Sequence, residues 1–287
     1  MRSTLLGCLA VIAWPVLGRA EPAAAPNHPP DKPEAPAPAA QPWWHGFYFR
    51  LGGALVKPVS SSREMVLSDV SGPASLAVQN GPIAGSGAKA DSATIPAGIV
   101  GYVLPWWNRR LSVETILGPP FTVKFQATGT LANTSIAPTA LGIPTGVGPL
   151  GPDLGEAKAV PPVLTVVYQL TGGGAVRPYV GGGASVLFAS DAHVTNAMLT
   201  AVHPPEMTIA PAPGLVVQGG LDVRLWNTVY ARLDVKFIAL MTAHAEVHHI
   251  EVKTPGLPLF DSVEVGTAKM DVRVNPFIVQ AAVGVDL

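Results

Sequence analysis

The chain has 287 residues, of which 48% are hydrophobic and 13% charged, with 30 glycines, 30 prolines and a formal net charge of -1. A charged share about half the usual one argues against an ordinary soluble enzyme, and the near-neutral balance gives no basic footprint for nucleic acid. Glycine and proline at this level favour turns and strands over helices. There is no G-x-y period for collagen, and the apolar content is too high for a disordered chain.

Residues 1–20 have the form of a secretory signal peptide. Arg2 gives the positive start, Leu5 to Leu17 the apolar stretch, and Gly18 and Ala20 the small residues around a cleavage point. A membrane helix needs about 20 apolar residues, and this run is shorter and carries Pro15. Cys8 follows Leu5-Leu6-Gly7 in the manner of a lipoprotein box, but too little apolar sequence precedes it. As the sole cysteine it leaves with the signal, so the exported chain has no disulfide. Losing Arg2 and Arg19 as well takes the formal charge to -3. Residues 21–45 open with the Pro/Ala tract EPAAAPNHPPDKPEAPAPAAQP, a semi-rigid periplasmic tail in expectation. A plain disordered tail and a reach towards a periplasmic partner both fit it.

From residue 46 onward the pattern is alternation. In TVYARLDVKFIAL, Arg232, Asp234 and Lys236 share one face and Leu233, Val235 and Phe237 the other. Eight such runs occur, near 46–57, 93–103, 110–118, 159–170, 176–189, 214–225, 228–241 and 273–287. The connections alternate long and short: 58–92, 119–158, 190–213 and 242–272 are long, while those near 104–109, 171–175 and 226–227 are short. A soluble sandwich has no reason to keep every second connection short, whereas an outer-membrane barrel does. The expected fold is therefore all-β. It is an eight-stranded antiparallel up-and-down transmembrane β-barrel over residues 46–287, with short periplasmic turns and long extracellular loops, in the bacterial outer membrane. Trp43, Trp44, Trp106, Trp107 and Trp226 all fall before strand one or in a short turn, as half of an interfacial aromatic girdle would.

AVPPVLTVVYQL, VRPYVGGG and the ending VNPFIVQAAVGVDL, together with GFYFRLGGALVKP in strand one, resemble the OmpW family of small outer-membrane proteins. The resemblance covers 46–287 in outline, the loops least. It implies a narrow, largely apolar pore for small hydrophobic molecules, with a sideways exit into the membrane as one route. It also brings outer-membrane lipid and the barrel-assembly machinery as partners. The chain departs from the pattern in ending on Leu287, where such barrels usually carry a terminal aromatic assembly signal. The family's bulky pore-constricting residue has no position here that the sequence identifies.

Alternation puts Arg50, Glu114, Arg177, Asp222, Arg224, Arg232, Asp234, Lys236 and Asp286 in the lumen. Isolated charges there would be expensive, so near-balance favours a cross-linked plug over an open ion-selective channel. An eight-stranded barrel is only just wide enough for side chains to fill. Arg50 or Arg177 as a ligand contact is the alternative.

Pro119 and Pro120 end strand three, and Pro161 and Pro162 begin strand four. Counted up from the short turns, both pairs stand roughly 20–23 Å above the periplasmic edge of an apolar band about 25 Å tall. Proline donates no hydrogen bond, so the wall should thin there. Either a lateral opening between these strands or a simple strand end follows.

His244 and His248 share a face by spacing, with His249 beside them and His193 and His203 in the preceding loop; solvated loop histidines are preferred to a metal site. Ser185 lies in strand five without a recognisable Ser/His/acid frame, so no enzyme and no cofactor is expected. The competing non-catalytic role is a structural or surface-recognition barrel, and the oligomeric state is open.

Overall fold

The computed structural model describes residues 44–287. The expected signal peptide, Cys8, the Pro/Ala tract and Trp43 lie outside the described residues. Eight long strands follow in order: β1 (Phe47–Ser62), β2 (Ala93–Val103), β3 (Leu111–Leu117), β4 (Val163–Gln169), β5 (Val176–Val194), β6 (Ala212–Arg224), β7 (Val229–Ala239) and β8 (Ser262–Asp286). Each pairs antiparallel with its neighbours in sequence. β1 then meets β8 from Tyr48 opposite Asp286 to Ser62 opposite Val272, so the ring closes. This is the eight-stranded up-and-down barrel that the alternation foretold. Closure leaves no sheet edge, as a wall in lipid requires.

The two faces have opposite chemistry. Leu51, Leu55, Leu164, Val166, Leu215, Val217, Leu233, Val235, Val279 and Val283 are exposed although they are apolar, and they form a band facing outward. Such a continuous exposed band belongs against hydrocarbon. Trp44, Trp106, Trp107 and Trp226 are exposed at the short-turn end.

The long connections are more ordered than the sequence suggested. They carry strands Ser86–Ala90, Phe121–Gly129, Asp153–Val160, Glu206–Ile209 and Thr242–Lys253. β5 and β8 run on past the expected limits to join them. The resulting upper wall runs from β8 through Thr242–Lys253, Glu206–Ile209, β5, Asp153–Val160 and Phe121–Gly129 to Ser86–Ala90. Ser86–Ala90 then meets the β1 side through side chains. Ser62 Oγ accepts from Ala88 N–H at 2.7 Å, and Ser86 Oγ accepts from Met65 N–H at 2.8 Å. Thus the barrel continues above the apolar band as a second storey. Strand four correspondingly starts at Val163, because Pro161 and Pro162 separate it from Asp153–Val160.

Candidate functional site

On most barrel strands the inward face changes character partway up. In β1, Tyr48 and Arg50 give way to Ala54 and Val56, all buried. In β7, Tyr230, Arg232, Asp234 and Lys236 give way to Ile238. In β6, Asp222 and Gln218 give way to Val216 and Ala212, and in β8 Gln280 gives way to Ile278 and Val274. Stacked in register, these changes make the lower lumen polar and the upper lumen apolar.

The polar half is a plug centred on Arg232. Its Nε and Nη2 donate to the two oxygens of Asp222, each at 2.7 Å, and its Nη1 donates to Glu114 Oε1 at 2.5 Å. Glu114 also accepts from the Tyr48 hydroxyl at 2.5 Å and from Gln218 Nε2 at 3.2 Å. Asp234 accepts from the Tyr179 hydroxyl at 2.8 Å and pairs with Lys236. Below, Asp286 binds Arg50 at 2.6 Å and Arg177 at 3.2 Å. The Arg232 guanidinium lies 4.6 Å from the Tyr179 ring centre, and that of Arg177 lies 4.3 Å from Tyr230. Charges of both signs are thus matched inside the barrel, the condition under which burial is tolerable.

Eight of the nine charged residues assigned to the lumen from sequence meet in this network. Arg224 is exposed at the rim, donating Nε–H to the Tyr230 hydroxyl at 3.1 Å. Tyr48, Tyr179, Tyr230, Gln218 and Gln280 lie among them and were passed over. Their signal was present, since Tyr48, Gln218 and Gln280 fall on the same alternating phase as the charges.

Directly above the plug is a cavity lined by Val56, Phe121, Val123, Leu187, Ile238, Met241, Pro161 and further apolar side chains. Asp91, its one ionisable lining group, accepts from Gln126 Nε2 at 2.8 Å. Phe125, Ile209 and Ala243 are shared with a second cavity in the upper storey. That chamber is lined only by apolar side chains, among them Met65, Leu131, Leu150, Met207, Val265 and Met270. Val70, Ala74, Val147 and Leu199 pack over it from the connections.

The proline pairs lie where the wall of this shaft changes register. The β3–β4 ladder stops at Thr115 opposite Leu164, and pairing resumes only at Phe121 opposite Ala159. Continuing the upper register sets Pro119 opposite Pro161 and Gly118 opposite Pro162. Pro161 lines the lower cavity on the inside, while Pro119 lines a groove on the outer face with Leu51, Pro96, Leu117 and Val283. Across the gap the other edges remain held: Ile116 and Leu117 pair with β2, and Val186 N–H donates to Pro162 O at 3.3 Å.

The histidines sit in the upper storey beside carboxylates: His193 with Glu156 at 3.3 Å, His203 with Glu251 at 2.9 Å, His244 with Asp271 at 2.6 Å and His248 with Glu246 at 3.4 Å. Among the described residues, no three His, Cys, Asp or Glu groups gather to hold a metal ion. Ser185 is buried in β5, and its hydroxyl has no hydrogen-bond partner among the described residues.

A closed ring of eight strands, apolar outside and alternately connected by short turns and a folded upper storey, defines an outer-membrane β-barrel. The OmpW family model matches residues 65–286, and the chain belongs to that family. The crystal structure of OprG from Pseudomonas aeruginosa shares its fold at a TM-score of 0.62 and 22% identity, over 84% of this chain and 95% of that one. The structure of AlkL in lipid bilayers matches at 0.46 and 19% identity, over 89% and 97% of the two chains. Outer membrane protein W of E. coli matches at 0.42 and 17%, over 85% and 98%. No curated protein matches the sequence.

Proposed function

We propose that this barrel is a passive outer-membrane pathway for small apolar solutes, which leave sideways between β3 and β4. The observation that carries the reading is the stacking of a shaft lined by apolar side chains, with Asp91 its one ionisable group, on a plug of paired charges. An apolar solute is stabilised in the shaft by leaving water. Crossing the plug would break charged hydrogen bonds with nothing to replace them. The lower cavity reaches Pro161, where the wall ladder is interrupted, so the gap is the outlet that avoids the plug. Unpaired backbone at membrane depth is tolerable where it borders such a cavity.

The test is uptake into proteoliposomes of an apolar and a polar probe of similar size. Preferential uptake of the apolar probe is expected. Exclusion of both by folded barrel would sink the channel. Replacing Pro119, Pro120, Pro161 and Pro162 with Val or Thr restores donors to both strands and should close the gap. Unchanged uptake in that variant would sink the lateral exit alone.

A further inference from the structure

At the periplasmic end the barrel opens into a third cavity that the solute pathway leaves unused. Its chemistry is the reverse of the shaft's: Arg50, Arg109, Arg177 and Arg232 line it, with Asp222 and Asp286. Arg224 and Arg110 stand close by, Arg224 on Tyr230 and Arg110 against Gly172 of the β4–β5 turn. Six arginines therefore crowd this end against Glu114, Asp222 and Asp286, a surplus of positive charge.

The carboxylates are already engaged. Both oxygens of Asp222 are taken by Arg232, and those of Asp286 by Arg50 and Arg177. Two guanidinium donors of lining residues remain buried without a hydrogen-bond partner: Arg50 Nε and Arg177 Nε. Arg50 is 3% exposed, and its Nε lies 3.8 Å from Asp222 Oδ1, beyond hydrogen-bond length. A guanidinium can only donate, and a buried donor left unmet is unfavourable. What would satisfy this end is a group with several anionic oxygens. A carboxylate offers two, whereas a phosphate offers enough to meet the guanidinium groups of Arg50, Arg177 and, at the rim, Arg109, all of which line the cavity.

We propose that the periplasmic vestibule is a phosphate-binding site, filled either by a free phosphate or by the headgroup of an inner-leaflet phospholipid. The test uses the folded chain in a maltoside micelle, which contains no phosphate, with the arginine Nε–Hε resonances followed by NMR. Inorganic phosphate should shift the Arg50 and Arg177 signals saturably, and chloride at equal ionic strength should not. Arg109 is exposed and stands outside the plug, so Arg109→Gln keeps the barrel folded and should weaken phosphate about fivefold to tenfold, as losing one hydrogen bond does. Tighter binding of dihexanoyl phosphatidylglycerol than of phosphate assigns the site to lipid, and the reverse order assigns it to the free anion. Shifts that never saturate, that chloride reproduces, or whose phosphate affinity is unchanged by Arg109→Gln in folded protein would overturn the site.

Discussion

Arg232 and Asp222 face each other across β6 and β7 and lock in a two-pronged pair, with both N–O distances at 2.7 Å. The same guanidinium holds Glu114 of β3 from across the lumen. One cation therefore answers for two buried carboxylates, and removing it leaves Glu114 with only the neutral donors Tyr48 and Gln218 and Asp222 with only Arg50 at 3.8 Å. Arg232→Met should cost about 3–5 kcal/mol of stability, the usual cost of breaking a buried pair from one side. Urea unfolding in micelles measures it. Adding Asp222→Asn and Glu114→Gln to the same chain removes the stranded charges and should recover much of the loss. A triple variant no more stable than Arg232→Met would show that Arg232 acts by packing rather than by charge.

Two tyrosines of the plug lie over glycines of neighbouring strands. Tyr48 is opposite Gly101, and a Cβ there would stand 2.1 Å from its ring; Tyr179 is opposite Gly220, where a Cβ would stand 2.5 Å from its hydroxyl. Gly101→Val should displace Tyr48 from Glu114 and cost about 1–3 kcal/mol, as overpacking does. In a Tyr48→Ala background the ring is gone, and the same glycine substitution should become nearly neutral. A double-mutant cycle reads this directly.

Period-two alternation was enough to find all eight barrel strands, and the 93–103 limits coincide with β2. It failed in the upper storey because bulges reverse its phase. In β8 the buried positions run 270, 272 and 274 below Gly266 but 263 and 265 above it. Gly266 takes a positive φ of 91°, and the register with Thr242–Lys253 shifts there. A similar slip falls in β5, where His193 and Ser190 pair with Glu156 and Lys158. Each bulge moves the apolar residues to the other parity, so a true strand reads as an irregular loop. The chamber was hidden for that reason, since most of its walls come from the stretches taken as loops. The plug was more visible, because charges on an inward phase stand out; its tyrosines and glutamines were missed because only charge was weighed.

Above the membrane band, Lys158 Nζ donates to Asp191 Oδ2 at 2.8 Å, strapping Asp153–Val160 to β5. This hydrogen bond and the ammonium charge hold the Asp191 carboxyl below its ordinary range and raise Lys158. The sign follows: a depressed carboxylate contributes fully above its unfolded pKa, and the contribution fades as pH falls through the lower folded value. NMR titration should find Asp191 below the model-peptide value of about 3.9. Lys158→Gln should move it back up, with little effect on global stability because the pair is exposed. An Asp191 pKa unmoved by Lys158→Gln would remove the strap.

The two apolar cavities share Phe125, Ile209 and Ala243, and of these Ala243 has the smallest side chain. It is buried at the base of Thr242–Lys253, where the upper storey meets the barrel. A solute descending the shaft must pass this neck, so a large ring at position 243 should obstruct it without touching a charge. Ala243→Phe is expected to slow proteoliposome uptake of a fused-ring apolar probe about tenfold, equivalent to 1.4 kcal/mol on its barrier. A slender linear probe should be slowed less, and Phe125→Ala should ease passage of the wider one. Equal slowing of both probes would point to a rearranged barrel, and no slowing of either would mean that solutes bypass the upper chamber.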